Sequence, residues 1–184
     1  MVVQNGEKYL SDAIESVLNQ SHKPDEIIIV DGNSTDNTGF IARSFNQVSY
    51  IKQSGTGLAN ARNTGIDFAS GDLIAFLDYD DFWTEDKLKI QHDYFIKDPQ
   101  LQYCYARVKL FAEPGSKLRT GYTKTGFDKP QEGRTPGTLL VRKSLFQQIG
   151  NFKSEYKIGC DFEWFTRVMN LGIPFVSVPE ILLM

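Results

Sequence analysis

Cysteine and histidine are scarce in this chain, two of each in 184 residues. Cys104 and Cys160 lack a ligand-spaced partner, so neither a disulfide framework nor a zinc site is expected; both read as buried thiols in a reducing compartment. His22 and His92 also have no partner at metal spacing, and read as a loop residue and a helix-surface residue. No serine stands in a G-x-S-x-G turn and neither cysteine has a nearby base, so a covalent nucleophile is missing. No apolar run approaches the ~18 residues of a membrane span, and no signal peptide is visible. A cytoplasmic chain is expected, with peripheral attachment to the inner face of a membrane left open. Positive charge is not in excess either: a net charge of −3 argues against a nucleic-acid partner.

The composition that remains, 41% apolar and 23% charged, suits one soluble domain with a real core. Leu10, Ala13, Ile14, Val17 and Leu18 form one apolar face of a helix over about Glu7–Gln20, with Asn5 as a candidate cap. Glu26–Asp31 reads as a buried strand, Ser34 or Thr35 as the cap of a helix to about Phe45, and Val48–Lys52 as a third strand. Gly55-Thr-Gly57 then opens a helix carrying Leu58, Ala61, Ile66 and Ala69 on one face. Strand and helix alternating in this way predict an α/β domain, a doubly wound and mostly parallel sheet with helices on both faces. Further on, Gln102–Phe111 and Thr138–Val141 read as strands, Asp161–Leu171 as a helix and Ile173–Val178 as a last apolar segment. Between them, Glu113–Gly137 offers no convincing element but holds Lys117, Arg119, Lys124, Lys129 and Arg134. It reads either as a solvated loop or as a lid over a ligand.

The most informative stretch is Gly71–Asp81, G-D-L-I-A-F-L-D-Y-D-D. Leu73–Leu77 read as a strand buried on both faces, and it runs straight into Asp78, Asp80 and Asp81. Two unit charges ~4 Å apart repel by about 4 kcal/mol at an effective dielectric near 20. Hard divalent cations with oxygen ligands relieve such crowding, and ligands of parallel sheets bind beyond the carboxyl ends of the strands. A metal-assisted site for a phosphorylated ligand is one reading. An acidic loop ahead of a helix capped by Thr84 is the other. A helix-loop-helix calcium site fits poorly, because Trp83 and Lys89 occupy its glycine and glutamate positions. Gly55-x-Gly57 lacks the third glycine of a dinucleotide fingerprint, Asn60 standing there. Asp161, in C-D-F-E-W-F-T-R, reads as a helix cap or as a general base aimed at an acceptor hydroxyl.

Taken together, three blocks resemble glycosyltransferase family 2, inverting enzymes of the GT-A fold. They are N-G-E-K-Y-L-S-D-A-I-E-S-V-L-N-Q from Asn5, E-I-I-I-V-D-G-N-S-T-D-N-T from Glu26, and G-L-A-N-A-R-N-T-G-I-D-F-A-S-G-D-L-I-A-F-L-D-Y-D-D from Gly57. The resemblance implies a nucleotide-diphosphate sugar donor, a saccharide or lipid-linked acceptor in polysaccharide or glycolipid synthesis, and a divalent metal, Mn²⁺ or Mg²⁺. It implies that Asp31 faces the base or ribose, Asp78 bonds the ribose, Asp80 holds the metal, and Asp81 stands behind them. Gly57 and Arg62 would shape the wall beside the nucleotide, Asp161 would be the catalytic base, and Arg167 would match an arginine of its helix. Residues 1–100 would form the nucleotide-sugar and metal half, and 101–184 the acceptor half of a single domain. Where many relatives carry a second acid after the second strand, this chain has Gly32, so the resemblance does not extend to how the base is read. Relatives also begin earlier and run further. A truncated or non-catalytic nucleotide-sugar-binding module of the same fold is therefore the alternative expectation.

Overall fold

The computed structural model describes residues 1–111 and 129–184. Its first half is built on β2 (Ile27–Asp31), which pairs in parallel with β1 (Val2–Val3) on one edge and β3 (Val48–Lys52) on the other. Alternation along β2 decides which helix packs where. Ile29 meets the apolar face of α1 (Leu10–Leu18) and Ala42 of α2 (Thr38–Ser44). Val30 points the other way, onto Ala61 of α3 (Leu58–Phe68). Helices thus cover both faces, as the strand–helix rhythm predicts.

The second half changes pairing. β4 (Leu73–Ala75) runs antiparallel to β7 (Leu140–Arg142), which runs antiparallel to β5 (Tyr103–Val108). β5 also pairs with β6 (Gln131–Glu132) antiparallel and with β8 (Phe175–Leu183) in parallel. Among the named strands of the described residues, parallel pairing is therefore found in β1–β2–β3 and in β5–β8. One face of this sheet packs on α3, α5 (Lys143–Ile149) and α6 (Cys160–Asn170) through Ile66, Phe146 and Trp164. The other packs on Phe95 of α4 (Lys87–Lys97).

Three helix starts differ from expectation for one reason. Asn5, Ser34 and Thr84 do not cap their own helices; they lace neighbouring segments together. Asn5 Oδ1 accepts the Thr35 N–H at 2.9 Å, and Ser34 Oγ accepts the Asn5 N–H at 2.9 Å. The Thr84 N–H donates to the Leu182 carbonyl at 3.3 Å. These helices begin after Tyr9, Asn37 and Asp86, none with a side-chain cap. Cys104 and Cys160 are free and buried, as expected. His22 and His92, read separately, stack on each other with ring centroids 4.7 Å apart. Of the cation-rich segment, residues 113–128 lie outside the described residues, and with them the lid expectation. Its remainder forms β6 and a 3-10 turn at Pro136–Thr138.

Candidate functional site

The carboxyl ends of β1, β2 and β3 converge with the chain beyond β4 on a cavity of about 300 Å³. Gln4, Gly32, Gln53, Gly57, Asp78 and Asp80 are on its wall. This is the crevice where an open parallel sheet places a ligand. A larger cavity, about 520 Å³, lies among Ile27, Leu73, Leu88 and His92, toward the opposite ends of β2 and β4. It is bordered by none of the three clustered acids, whereas Asp78 and Asp80 are on the wall of the smaller crevice.

The acidic turn is pinned on both sides. Asp78 bridges Val2 in parallel, and Phe82 exchanges backbone hydrogen bonds of 3.0 and 2.9 Å with Met184. The Asp81 N–H donates to the Asp78 carbonyl at 3.2 Å, which folds the three carboxylates together. Both oxygens of Asp78 accept from Arg62 Nη2 at 3.2 Å, and that guanidinium is only 2% exposed. Asp80 and Asp81 receive no such cation in the described structure. Burial, with repulsion from Asp78 added, raises the Asp80 carboxyl above its ordinary range. Burial followed by repulsion from Asp78 and Asp80 pushes Asp81 up to about 7. The crowding inferred from sequence is real.

Among the described residues, no group of three or more His, Cys, Asp or Glu is arranged to hold a metal ion by itself. That agrees with the donor chemistry. Small divalent ions are commonly held by one or two carboxylates together with substrate phosphates rather than in an all-protein cage. Asp80, a hard oxygen donor on the cavity wall, has no cation beside it, whereas both oxygens of Asp78 accept from Arg62.

Asp31 ends its strand as expected but sits behind the wall at 1% exposure. Its Oδ1 accepts from the Ser34 N–H at 2.8 Å and from Ser34 Oγ at 2.6 Å. Its Oδ2 accepts from the Tyr50 hydroxyl at 2.5 Å. A carboxylate with three donors organises the turn that presents Gly32. Burial and the bond to Asp31 raise the Tyr50 hydroxyl.

Gly57 enters α3 at φ +88°, where a side chain would be strained, and its carbonyl accepts Gln53 Nε2 at 2.9 Å. The same Gln53 amide donates to Asn60 Oδ1 at 2.8 Å, and Gln4 Nε2 donates to the Gly32 carbonyl at 2.9 Å. Gln4, Gln53 and Tyr50 escaped the sequence reading. The available signal was position: each lies in, or just beyond the end of, a parallel strand. A Cβ at Gly32 would meet Gln53 Oε1 at 3.3 Å, so the missing second acid and the inward amide go together.

Arg62 does not line the cavity; it lies behind Asp78 and its Nη1 meets Cys160 Sγ at 3.9 Å. Asp161 follows in the first turn of α6, where Gly159 at φ +79° stands at the cap position that Asp161 was a candidate for. Asp161 Oδ1 accepts the Phe162 N–H at 2.9 Å, and the residue is partly exposed. It is not on the wall of the 300 Å³ cavity. Arg167 grips Glu163 twice at 2.9 Å and the carbonyls of Gly150 at 3.0 Å and Asn151 at 2.8 Å. It is a strut between α6 and the segment before it.

An architecture of this kind, with acids at the carboxyl ends of parallel strands, defines a GT-A type nucleotide-sugar transferase fold. Staphylococcus aureus TarS 1–349 in complex with UDP superposes with a TM-score of 0.77 at 20% identity, covering 99% of this chain and 57% of that one. A mannosyltransferase from Pyrobaculum calidifontis, in complex with GDP-Man and Mn²⁺, gives 0.70 at 16% identity over 98% and 53%. The chain belongs to glycosyl transferase family 2, whose model matches residues 1–158. A similar protein is the Escherichia coli UDP-Glc:alpha-D-GlcNAc-diphosphoundecaprenol beta-1,3-glucosyltransferase WfgD, 37% identical over 110 residues, which are 58% of this chain and 43% of that protein. Another is the uncharacterized glycosyltransferase RP339 of Rickettsia prowazekii, 30% identical over 176 residues, 89% of this chain and 55% of that one. In eight of the curated relatives it matches, the chain spans from 13% to 55% of their length. No helix among the described residues is long and apolar enough to cross a membrane.

Proposed function

We propose that this chain is an inverting glycosyltransferase that moves a sugar from a nucleotide-diphosphate donor to an acceptor hydroxyl. The observation that carries the proposal is the acidic turn itself. Three carboxylates are held together beside a crevice at the strand ends, with one buried guanidinium to offset them. Gln4, Gly32, Gln53 and Gly57 form the nucleotide end of the crevice, Asp78 bonds the ribose, and Asp31 acts through the turn it organises. Asp80 would hold a divalent ion, Mn²⁺ or Mg²⁺. Bound there with the diphosphate, it would neutralise the leaving group. Asp161 takes the proton from the acceptor hydroxyl, whose oxygen attacks the anomeric carbon opposite the diphosphate. One displacement inverts the configuration and requires no enzyme nucleophile.

The acceptor is a saccharide or a lipid-linked glycan. WfgD is named for a diphosphoundecaprenol-linked one, which is in keeping with peripheral attachment of this chain at a membrane. In this reading residues 1–100 hold the donor and 101–184 form the acceptor side. Calorimetric titration with UDP, GDP and dTDP, with and without Mn²⁺, followed by turnover of the corresponding sugar nucleotide, tests it. Metal-dependent binding of one diphosphate and transfer of its sugar are expected; no binding of any diphosphate with Mn²⁺ present overturns the proposal. A second reading, a nucleotide-sugar-binding module, is favoured by Asp161 lying off the cavity wall. Binding without turnover would select it.

A further inference from the structure

Two adjacent residues of α3 bind segments from three distant parts of the chain. Arg62 reaches the acidic turn through both oxygens of Asp78 at 3.2 Å and meets Cys160 Sγ, at the start of α6, at 3.9 Å. Its guanidinium also lies 5.7 Å from the centre of the Phe152 ring. Asn63 closes a two-point amide clamp on that same residue. Its Nδ2 donates to the Phe152 carbonyl at 2.8 Å, and its Oδ1 accepts the Phe152 N–H at 3.0 Å. Neither side chain lines the cavity.

The segment they grip is the one that needs holding. Residues 151–159 contain no helix or strand, and both flanking glycines, Gly150 and Gly159, have positive φ. Its middle is exposed, Ile158 at 93%. Arg167 and the Lys153–Glu163 pair at 3.4 Å tie it to α6, but within α6's own half of the molecule. Arg62 and Asn63 tie it to the helix that also holds Asp78. Arg62 is 2% exposed and its Nε has no hydrogen-bond partner among the described residues, so its charge is committed to the Asp78–Cys160 junction.

We infer that Arg62 and Asn63 are positioning residues that set the distance between Asp78 at the donor end and Asp161 at the acceptor end. The inference rests on the proposed roles of those two aspartates. A helix is a stiff spacer, and its two neighbouring side chains diverge by about a hundred degrees around the axis. One rigid element therefore fixes both carboxylates in a common frame. Misplacing a catalytic group by about 1 Å can cost about 100-fold in rate, and loosening the Asn63 side of the clamp leaves the hold of Arg62 on Asp78, and with it the donor end, in place.

The test is a double-mutant cycle on turnover, pairing Asn63→Ala with Asp161→Asn. If Asn63 works through Asp161, Asn63→Ala lowers kcat between about 10- and 100-fold alone, and less than about 2-fold when Asp161 is already Asn. The KM for donor should change by less than about 3-fold, because the loss falls on the transition state. Equal losses in both backgrounds, or a KM that rises as far as kcat falls, overturn the inference. Where Asn63→Ala does not fold, Asn63→Asp keeps the acceptor for the Phe152 N–H and carries the same cycle.

Absence of turnover in the unaltered chain counts against the proposed function only. The coupler is then read by hydrogen exchange at Phe152, bonded to Asn63, and at Glu163, bonded to the Gly159 carbonyl. Exchange at both should be about tenfold faster in Asn63→Ala while the Asp81 amide is unchanged. Unaltered exchange at Glu163 overturns it.

Discussion

β2 and the chain beyond β4 both end in aspartates at the same edge of the molecule, yet the two ends do opposite things. Asp31 is buried and accepts three hydrogen bonds, from Ser34 twice and from Tyr50. Of Asp78, Asp80 and Asp81 only Asp78 is met by a guanidinium, and the other two carboxyls are pushed toward the protonated form. A satisfied carboxylate is architecture, because its charge is already offset by fixed donors. Asp80 and Asp81 have no fixed cation beside them, and burying like charges without one is costly. Place in the fold does not separate the two cases. Donor count does.

The comparison can be broken or sharpened by substitution. The largest effect is expected at a third aspartate, outside both ends: Asp161→Asn should lower turnover by about 10²–10⁴-fold, with nucleotide affinity retained in a calorimetric titration. Asp80→Ala comes next. It should abolish the gain in diphosphate affinity that Mn²⁺ confers, a loss of about 10- to 100-fold, while the protein melts no earlier than before. If Asp80→Ala left the metal dependence intact, the cluster would be as architectural as Asp31.

Asp31→Asn should do the reverse, costing about 1–3 kcal/mol of stability in denaturant titration because buried donors lose their charged acceptor. Metal-dependent affinity of the folded fraction should survive it. The smallest effect is a pH slope. Asp81 titrates at about 7 in the folded chain against an ordinary value of 3.8. Between those limits the folded state binds more protons than the unfolded one, so stability falls as pH rises through the window and levels off above it. Melting temperatures in metal-free buffer should show that slope, and Asp81→Asn should flatten it.

Much of the first half of the chain was legible in the sequence. Val48–Lys52 is a strand over the residues its pattern marks, and Ile27–Asp31 falls one residue short of expectation. For β2 the reason is that a parallel strand buried on both faces must be continuously apolar, and such a run has sharp ends. The later part was less legible. The apolar run Leu73–Leu77 gives regular pairing only at Leu73–Ala75, because only those residues face β7. β8 continues to Leu183 although Pro179 and Glu180 interrupt its apolar pattern, since β5 pairs with it across bulges. Capping residues misled for the same kind of reason. Asn5 and Ser34 are good caps in isolation, but Asn5 Oδ1 accepts the Thr35 N–H and Ser34 Oγ accepts the Asn5 N–H.

The sequence by itself determined where acids stand at strand ends, because hydrophobic runs and the carboxylates that stop them are local features. Only the tertiary structure decided which of those acids is free to act. The donors that silence Asp31 include Tyr50, 19 residues away, and the cation that holds Asp78 is Arg62, 16 residues away. The link from that cation to Cys160 crosses 98 residues. Hydrogen bonds and charge pairs act over a few ångströms in space, and folding alone sets which residues come within that range.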